Sequence, residues 1–471
     1  KKLFKHIKDQ GMQAVAITEH GNMLSFVSKY TEAKKEGIKL IFGVEAYLVD
    51  DAKKKERSQR RFHLLLLAKN QIGFKNLVKL VSESYKEENF YYKPRIDKKM
   101  LKKYSEGLIC TSGCLAAEIP HHFLHDNDQL AEQALHEYLD IFPKEDYYIE
   151  LQHHNLPEQE YILPKLINLA KKHSIKCIAT NDAHYLTKDD ARSQEIMLCI
   201  QTKTTLHDEK RMKFATEEFY VKSEEEMKSI FDKIAPDAVQ NTMEIAEKCN
   251  VSLTLDEHYF PDFPLPEGHT DASYLKYICS KNLEIKYKDS KRYQEAKERM
   301  EFELSVITKM GFSKYFLIVQ DFIAEAKKFC QVGPGRGSGA GSIVAYLTGI
   351  TQLEPLSLGL LFERFLNPDR ISLPDFDIDF GDRDRVLDYV VNKYGEDKVA
   401  LIGTVGTMQA KAVIKDVARA MNIPFSISNE ITKFITEKTI QKSLDAKNQQ
   451  GKHINQELHN YKEKYPELFE I

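Results

Sequence analysis

The sequence lacks the features that would place the protein in a membrane or outside the cell. It has no run of roughly 18 apolar residues, which a membrane-spanning helix needs, and no secretory leader. Its seven cysteines are odd in number and scattered along the chain, which does not suit a disulfide framework. We therefore expect a soluble cytoplasmic protein whose cysteines are reduced.

An excess of charge of one sign is also absent. The 68 lysines and arginines nearly balance the 71 aspartates and glutamates, for a net charge of −3. This balance excludes a uniformly basic nucleic-acid-binding protein, but it leaves room for a local basic groove.

Length and patterning predict a multidomain α/β chain. A chain of 471 residues exceeds the size of one ordinary core, so two or three domains are expected. Strand-like and helix-like segments alternate in its first part, which favours parallel strands in a barrel or a doubly wound sheet. Residues 187–330 are predicted to be mostly helical. The predicted strands are residues 14–18, 40–49, 62–68, 107–113, 147–152 and 175–181.

Potential metal ligands follow several of these strands. In parallel α/β folds the carboxyl ends of the strands form the functional face. Imidazole, carboxylate and thiolate groups together suit zinc, manganese or iron. A single histidine is more often an ordinary surface or core residue, but agreement among five strand ends favours a metal site. The candidates are Glu19, His20, Glu45, Cys114, His153, His154, Asp182 and His184.

A second candidate site is the stretch SLPDFDIDF, residues 372–380. Its period of two places Asp375, Asp377 and Asp379 on one face of an extended strand and apolar side chains on the other. Neighbouring carboxylates would lie about 7 Å apart and repel each other by roughly 2 kcal/mol at an effective dielectric constant of about 20. We therefore expect cations at this face, the alternative being a solvated acidic surface.

A glycine-rich segment, VGPGRGSGAGS at residues 332–342, precedes the acidic strand and runs into a helix-like stretch. Such a loop can turn several backbone N–H groups toward one anion, and Arg336 adds a fork for phosphate oxygens. The segment has no Gly-Lys-Ser/Thr and is not a Walker loop. Arg364 and Arg370 follow it and suit a triphosphate pocket. The alternatives are a flexible linker and ordinary surface ion pairs.

The glycine-rich loop, the arginines and the acidic strand together indicate phosphoryl transfer. Two divalent cations about 4 Å apart can activate an attacking hydroxyl and stabilise the leaving oxygen. Magnesium ions that arrive with a nucleotide are the expected cations.

The segments TEHGN, GVEAY, HLLLLAKN, TSGC and ATNDAHYL resemble the PHP (polymerase and histidinol phosphatase) domain of bacterial replicative DNA polymerases. The resemblance implies a distorted β/α barrel with a polynuclear centre of Zn²⁺ or Mn²⁺. The strand-end argument does not select one of the implied ligands, His63, because it begins a predicted strand. The opening His-x-His strand of the family has no counterpart, so we expect an incomplete site. The implied ligands are His20, Glu45, His63, Cys114, Asp182 and His184.

The segments GPGRGSGAGS, LLFERFLNP and PDFDIDF resemble the palm of the bacterial DNA polymerase III alpha subunit family. The resemblance implies that Asp375 and Asp377 bind metal, and that Asp379 is a third catalytic candidate. A shifted alignment of the motif would select Asp377 and Asp379 as the metal pair instead. The implied nucleotide-binding residues are Arg336, Gly337, Ser338 and Arg364, and the implied DNA-binding residues are Lys411 and Lys415.

The two resemblances cover essentially the whole chain and imply three domains. These are a PHP domain at residues 1–250, an incomplete α+β nucleotidyltransferase-like palm at 251–406, and part of a helical thumb at 407–471. The family's third palm aspartate, fingers and clamp-binding region have no counterpart here. We therefore expect a fragment that is inactive by itself.

The function implied by the resemblance is template-directed DNA synthesis in chromosomal replication, with Mg²⁺ at the palm. The implied partners are primer–template DNA, deoxynucleoside triphosphates, the sliding clamp and other replicase subunits, in the cytoplasm at the nucleoid. The PHP domain would add 3′–5′ exonuclease activity. The alternatives are a free-standing PHP-type phosphoesterase, which leaves the glycine-rich loop without a role, and a non-catalytic PHP scaffold that braces the palm.

Overall fold

A computed structural model describes the chain except for residues 256, 258, 369–372, 448–452, 454 and 471. It divides the chain into two compact units. The first unit comprises Lys1–Leu253 and Val405–Ile471, and the second comprises Thr254–Thr404. Arg370 and Ser372, which belong to the predicted nucleotide site and acidic strand, lie outside the described residues.

The first unit contains a mixed sheet that curls into a half-barrel. The strands follow the order β4-β5-β2-β3-β6-β7-β8, and β1 also pairs with β2. The strands are β1 (Ala14–Ile17), β2 (Lys39–Leu48), β3 (Phe62–Ala68), β4 (Phe90–Tyr91), β5 (Lys93–Ile96), β6 (Leu108–Thr111), β7 (Tyr147–Leu151) and β8 (Cys177–Ala179).

Helices account for most of the remaining regular structure in both units. They are α1 (Lys2–Asp9), α2 (Phe26–Glu36), α3 (Gln71–Ser84), α4 (Lys98–Tyr104), α5 (Glu118–Leu124), α6 (Asp128–Leu139), α7 (Pro157–His173), α8 (Ala191–Thr202), α9 (Glu224–Phe231), α10 (Asp237–Lys248), α11 (Asp271–Tyr287), α12 (Tyr293–Lys309), α13 (Ser313–Ala326), α14 (Ile343–Thr348), α15 (Arg383–Tyr394), α16 (Ala410–Ala420), α17 (Phe425–Ile431), α18 (Ile440–Asp445), α19 (Gln456–Lys464) and α20 (Glu467–Glu470).

All six predicted strands are present, but the prediction of uniformly parallel pairing is wrong. Strand β3 runs antiparallel to both of its neighbours, β2 and β6. The apolar run FHLLLLA predicts a buried strand, but burial alone carries no information about strand direction. Because β3 is reversed, its first residues lie at the sheet edge where β2 and β6 end.

The second unit is built around the helices α11 to α14. Its core includes Leu275, Leu304, Phe316 and Val344. The predicted acidic strand does not form a ladder among the residues described here. It makes two isolated antiparallel bridges, Val332 with Phe380 and Arg336 with Asp377.

The part of the chain that follows the second unit, from Val405 onward, packs within the first unit. Ile414 and Val417 on α16 share a core with Ile196 and Cys199 on α8. Among the described residues, no helix has both the length and the apolar character that crossing a membrane requires.

Candidate metal centre and nucleotide site

Sheet register brings three potential metal ligands together at one edge of the sheet. His20 lies beyond the end of β1 and bridges to Glu45 on β2. Tyr47, which shares a face of β2 with Glu45, pairs with His63 on β3. His63 Nδ1 is 2.7 Å from Glu45 Oε1, and His20 Nε2 is 3.2 Å from Glu45 Oε2. One ligand atom from each residue lies within 4.8 Å of the others.

Cys114 joins this group from the turn after β6. Its Sγ lies 3.5 Å from His63 Nδ1 and 3.6 Å from Glu45 Oε1. The preceding Gly113 has a φ of 71°, and a Cβ there would lie 2.8 Å from the Ala117 Cβ. A glycine at this position therefore lets the turn fold back under the cysteine.

Asp182 and His184 form a pair beside the same group. His184 Nε2 is 3.3 Å from Asp182 Oδ1, and the His184 ring centroid is 6.0 Å from that of His20. Asp182 has a φ of 41°, an unusual backbone conformation for a residue with a side chain. The structure thus brings together all six residues of the implied ligand set.

Burial and neighbouring charges set the protonation of this cluster. Burial lowers the pKa of His20, although the Glu45 carboxylate opposes the shift. Burial, reinforced by Glu45, raises the pKa of the Cys114 thiol well above its usual value. Burial also disfavours charge on His184, but the hydrogen bond and charge of Asp182 outweigh it and raise the His184 pKa. A cation bound here would release the thiol proton, since thiolate is the metal-binding form.

Three other candidates from the strand ends do not join the cluster. Glu19 forms an ion pair with Lys29. His154 is buried, and its ring nitrogens contact the Asn181 carbonyl oxygen at 2.9 Å and Gln159 Nε2 at 2.8 Å. His153 lines a separate groove beside α7. Following a strand is therefore not sufficient to bring a residue into the cluster.

Sequence reasoning missed Glu150, a buried carboxylate on β7. It accepts hydrogen bonds from the hydroxyls of Thr111 and Thr180 and from Gln152 Nε2. Burial raises its pKa despite these donors. The alternation of polar and apolar residues in YYIELQ gave no indication that this glutamate faces the interior.

The acidic stretch of the second unit shows the predicted alternation. Asp375, Asp377 and Asp379 are exposed, whereas Phe376 and the other apolar side chains between and after them are partly buried. The ring of Phe376 packs on Phe365 and Tyr315, with centroid distances of 4.7 and 5.7 Å. Its backbone N–H donates to the Tyr315 hydroxyl at 3.2 Å. Aromatic packing on one side thus holds the carboxylates on the other.

The glycine-rich loop lies directly against this acidic face. The Gly333 N–H donates to the Asp379 carbonyl oxygen at 2.9 Å. Arg336 Nε lies 3.6 Å from Asp379 Oδ2, and both side chains are largely exposed. A Cβ added at Gly337 would clash with Asp377 Oδ2, and the φ of Gly337 is 68°. The positive φ therefore favours glycine, and a side chain at this position would force the exposed Asp377 carboxylate to turn aside.

An internal carboxylate occupies the start of α14, which follows the loop. Glu303 is fully buried and accepts hydrogen bonds from the Ser342 hydroxyl at 2.7 Å and from the N–H groups of Ile343 and Val344, both at 3.1 Å. Arg299 Nε donates to the same carboxylate at 2.8 Å. The first turn of α14 is thus already satisfied, which leaves the loop before it as the region for an external anion.

The remaining predicted contacts with nucleotide and DNA are on the surface. Ser338 begins a short 3₁₀ helix, Ser338–Gly341, and Arg364 is exposed at the end of another, Phe362–Arg364. Lys411 is exposed on α16, and Lys415, one turn further along, lies with its Nζ 5.5 Å from the ring centroid of Phe425.

Comparison with known families divides the chain between two models. Residues 1–154 match the PHP domain, and residues 273–471 match the bacterial DNA polymerase III alpha NTPase domain. The chain therefore joins a PHP domain to a polymerase domain.

Named relatives agree with this class. The chain is 47% identical to a DNA polymerase III subunit alpha of Borreliella burgdorferi, over 91% of the chain and 38% of the relative. It is 42% identical to that of Thermus aquaticus, over 92% of the chain and 41% of the relative. For Treponema pallidum the identity is 41%, over 100% of the chain and 40% of the relative. The chain belongs to the DNA polymerase III alpha subunit family and spans about two fifths of these relatives' length.

Proposed function

We propose that this chain is part of a DNA-directed DNA polymerase that carries out template-directed synthesis in chromosomal replication. The observation that carries the proposal is the contact between the glycine-rich loop and the exposed face of Asp375, Asp377 and Asp379. Family membership supports it. In this proposal residues 1–250 are the PHP domain, 251–406 belong to the palm and 407–471 belong to the thumb.

Asp375 and Asp377 are the proposed Mg²⁺ ligands, and Asp379 is the alternative partner of Asp377. Exposed carboxylates that are fixed by the packing beneath them fit a hard cation that keeps several of its waters. When bound, two such ions activate the primer hydroxyl and stabilise the leaving oxygen.

The other residues position the substrates and neutralise their charge. Arg336, Gly337, Ser338 and Arg364 bind the triphosphate of the incoming deoxynucleotide. Lys411 and Lys415 contact phosphates of the primer–template duplex. The sliding clamp and other replicase subunits are further partners, and the place of action is the cytoplasm at the nucleoid.

We further propose that His20, Glu45, His63, Cys114, Asp182 and His184, which we call the PHP cluster, bind Zn²⁺ or Mn²⁺. With the metal bound, this site would remove 3′-terminal nucleotides. The convergence of imidazole, carboxylate and thiol groups within a few ångströms supports this proposal, because that mixture suits borderline transition metals. When bound, such metals supply a nucleophilic water for phosphodiester hydrolysis. A free-standing phosphoesterase would not need the glycine-rich loop, and a scaffold would not need these ligand types.

Primer extension by full-length polymerases carrying one Asp→Asn change tests the assignment of the metal pair. We expect Asp375→Asn to abolish extension and Asp379→Asn to retain far more activity. Asp388→Asn, at an exposed position on α15, is the matched control. Loss of extension in Asp379→Asn with activity retained in Asp375→Asn would instead select Asp377 and Asp379.

A further inference from the structure

Helices α6 and α7 carry a second group of metal-ligand side chains, Glu132, His136 and His173. Glu132 and His136 are four residues apart and therefore share one face of α6. His173 is the last residue of α7. One ligand atom from each of the three side chains lies within 4.8 Å of the other two. None of the three belongs to the implied PHP ligand set.

The contacts within this group are already close. His173 Nε2 lies 2.7 Å from Glu132 Oε1. The rings of His136 and His173 meet edge to face, with centroids 5.0 Å apart. His173 is mostly buried, with a side-chain exposure of 16%, while His136 is exposed. The group is thus anchored on one side and open to solvent on the other.

We propose that Glu132, His136 and His173 bind a zinc ion that links α6 to α7. Two imidazoles and one carboxylate form a three-ligand set that leaves a fourth position for water. Ligand atoms around tetrahedral zinc lie about 3.3 Å apart, and the three ligand atoms here already lie within 4.8 Å of one another. Both histidines are in the last turns of their helices, where the helix dipole favours a cation.

Lys172 competes with this ion for Glu132. Its Nζ lies 2.7 Å from Glu132 Oε2, and its side chain is 63% exposed. An exposed ammonium group can move into water at little cost, since exposed ion pairs contribute little to stability. Removing the lysine should therefore strengthen zinc binding, whereas removing a ligand should weaken it.

Zinc titration of the 471-residue chain by calorimetry, with cobalt absorption as a second readout, tests this site. His136→Ala should remove one equivalent of bound zinc and its tetrahedral cobalt signal. Lys172→Ala should keep that equivalent and bind it more tightly. His207→Ala, at an exposed position outside both clusters, is the control and should match the wild type. The PHP ligands are intact in every variant, so their contribution cancels.

Circular dichroism checks the folding of His136→Ala, which we expect to be intact because His136 is exposed. Unchanged zinc stoichiometry and affinity in folded His136→Ala would overturn the proposal, and the three side chains would then form only an ion-pair group. Neither outcome depends on polymerase or exonuclease activity.

Discussion

Gly337 lies in the part of the glycine-rich loop that packs against Asp377 of the acidic face. We predict that Gly337→Ala lowers nucleotide incorporation by about 100-fold, because displacement of reacting groups by about 1 Å has effects of that size. The added methyl group would clash with Asp377 Oδ2 and displace this exposed carboxylate. Single-turnover incorporation by the full-length polymerase is the measurement.

Gly359→Ala separates this contact from backbone strain. Gly359 has a φ of 63°, close to that of Gly337, but a Cβ there meets no other atom within 4 Å. We expect Gly359→Ala to cost about 1 kcal/mol of stability, as alanine does at positive φ, with little effect on incorporation. Equal loss of incorporation in the two variants would show that strain, and not contact with Asp377, causes the defect.

At the scale of elements, Glu303 on α12 fixes the start of α14. We predict that Glu303→Ala lowers the free energy of unfolding by about 3 kcal/mol, because it removes a buried charge partner and leaves Arg299 without its carboxylate. The N–H groups of Ile343 and Val344 also lose their acceptor. Urea unfolding of the 471-residue chain is the measurement.

Glu301→Ala is the control for this prediction. Glu301 lies two residues away on the same helix and is exposed, so its removal should change stability by less than about 0.5 kcal/mol. A loss in Glu303→Ala no larger than that in Glu301→Ala would contradict the prediction, because alanine is the better helix former and the loss is expected only from the contacts with Arg299 and the first turn of α14.

The elements also show what the sequence could and could not predict. Apolar runs predicted six of the eight strands described, and period two predicted the exposed face of Asp375, Asp377 and Asp379. The direction of β3 was not predictable, since an apolar run such as FHLLLLA indicates burial but not strand direction. Strands β4 and β5 are short and include a proline, so they gave little strand signal.

Buried polar groups were the other limit of prediction. Arg299 and Glu303 have the spacing of an ordinary surface ion pair on a helix, and only tertiary packing makes Glu303 a buried cap. His63 was found by resemblance to a family and not by physical reasoning. Its place in the cluster follows from the reversed β3, which the sequence alone did not show.

At the scale of the whole molecule, the two candidate sites belong to different compact units. The PHP cluster lies in the first unit and the acidic face in the second. We therefore predict that His184→Ala in the full-length polymerase lowers metal content and 3′–5′ exonuclease rate together but spares polymerisation. Elemental analysis and paired activity assays are the measurements.

His153→Ala is the matched control, because His153 also follows a strand but lies outside the cluster. It should leave metal content unchanged. If the wild-type polymerase binds no metal at this cluster under metal-replete conditions, the PHP domain acts as a scaffold. Equal loss of both activities in His184→Ala would contradict the independence of the two sites.

The central claim is that the acidic face is the site of nucleotide addition, and Asp377 tests it most directly because both possible metal pairs include this residue. The measurement is single-turnover incorporation by the full-length polymerase carrying Asp377→Asn, together with its affinity for primer–template DNA. The exposed position of Asp377 leads us to predict intact folding and DNA binding with incorporation abolished. Incorporation within about tenfold of the wild-type rate, a change of only about 1.4 kcal/mol in the barrier, would contradict the claim.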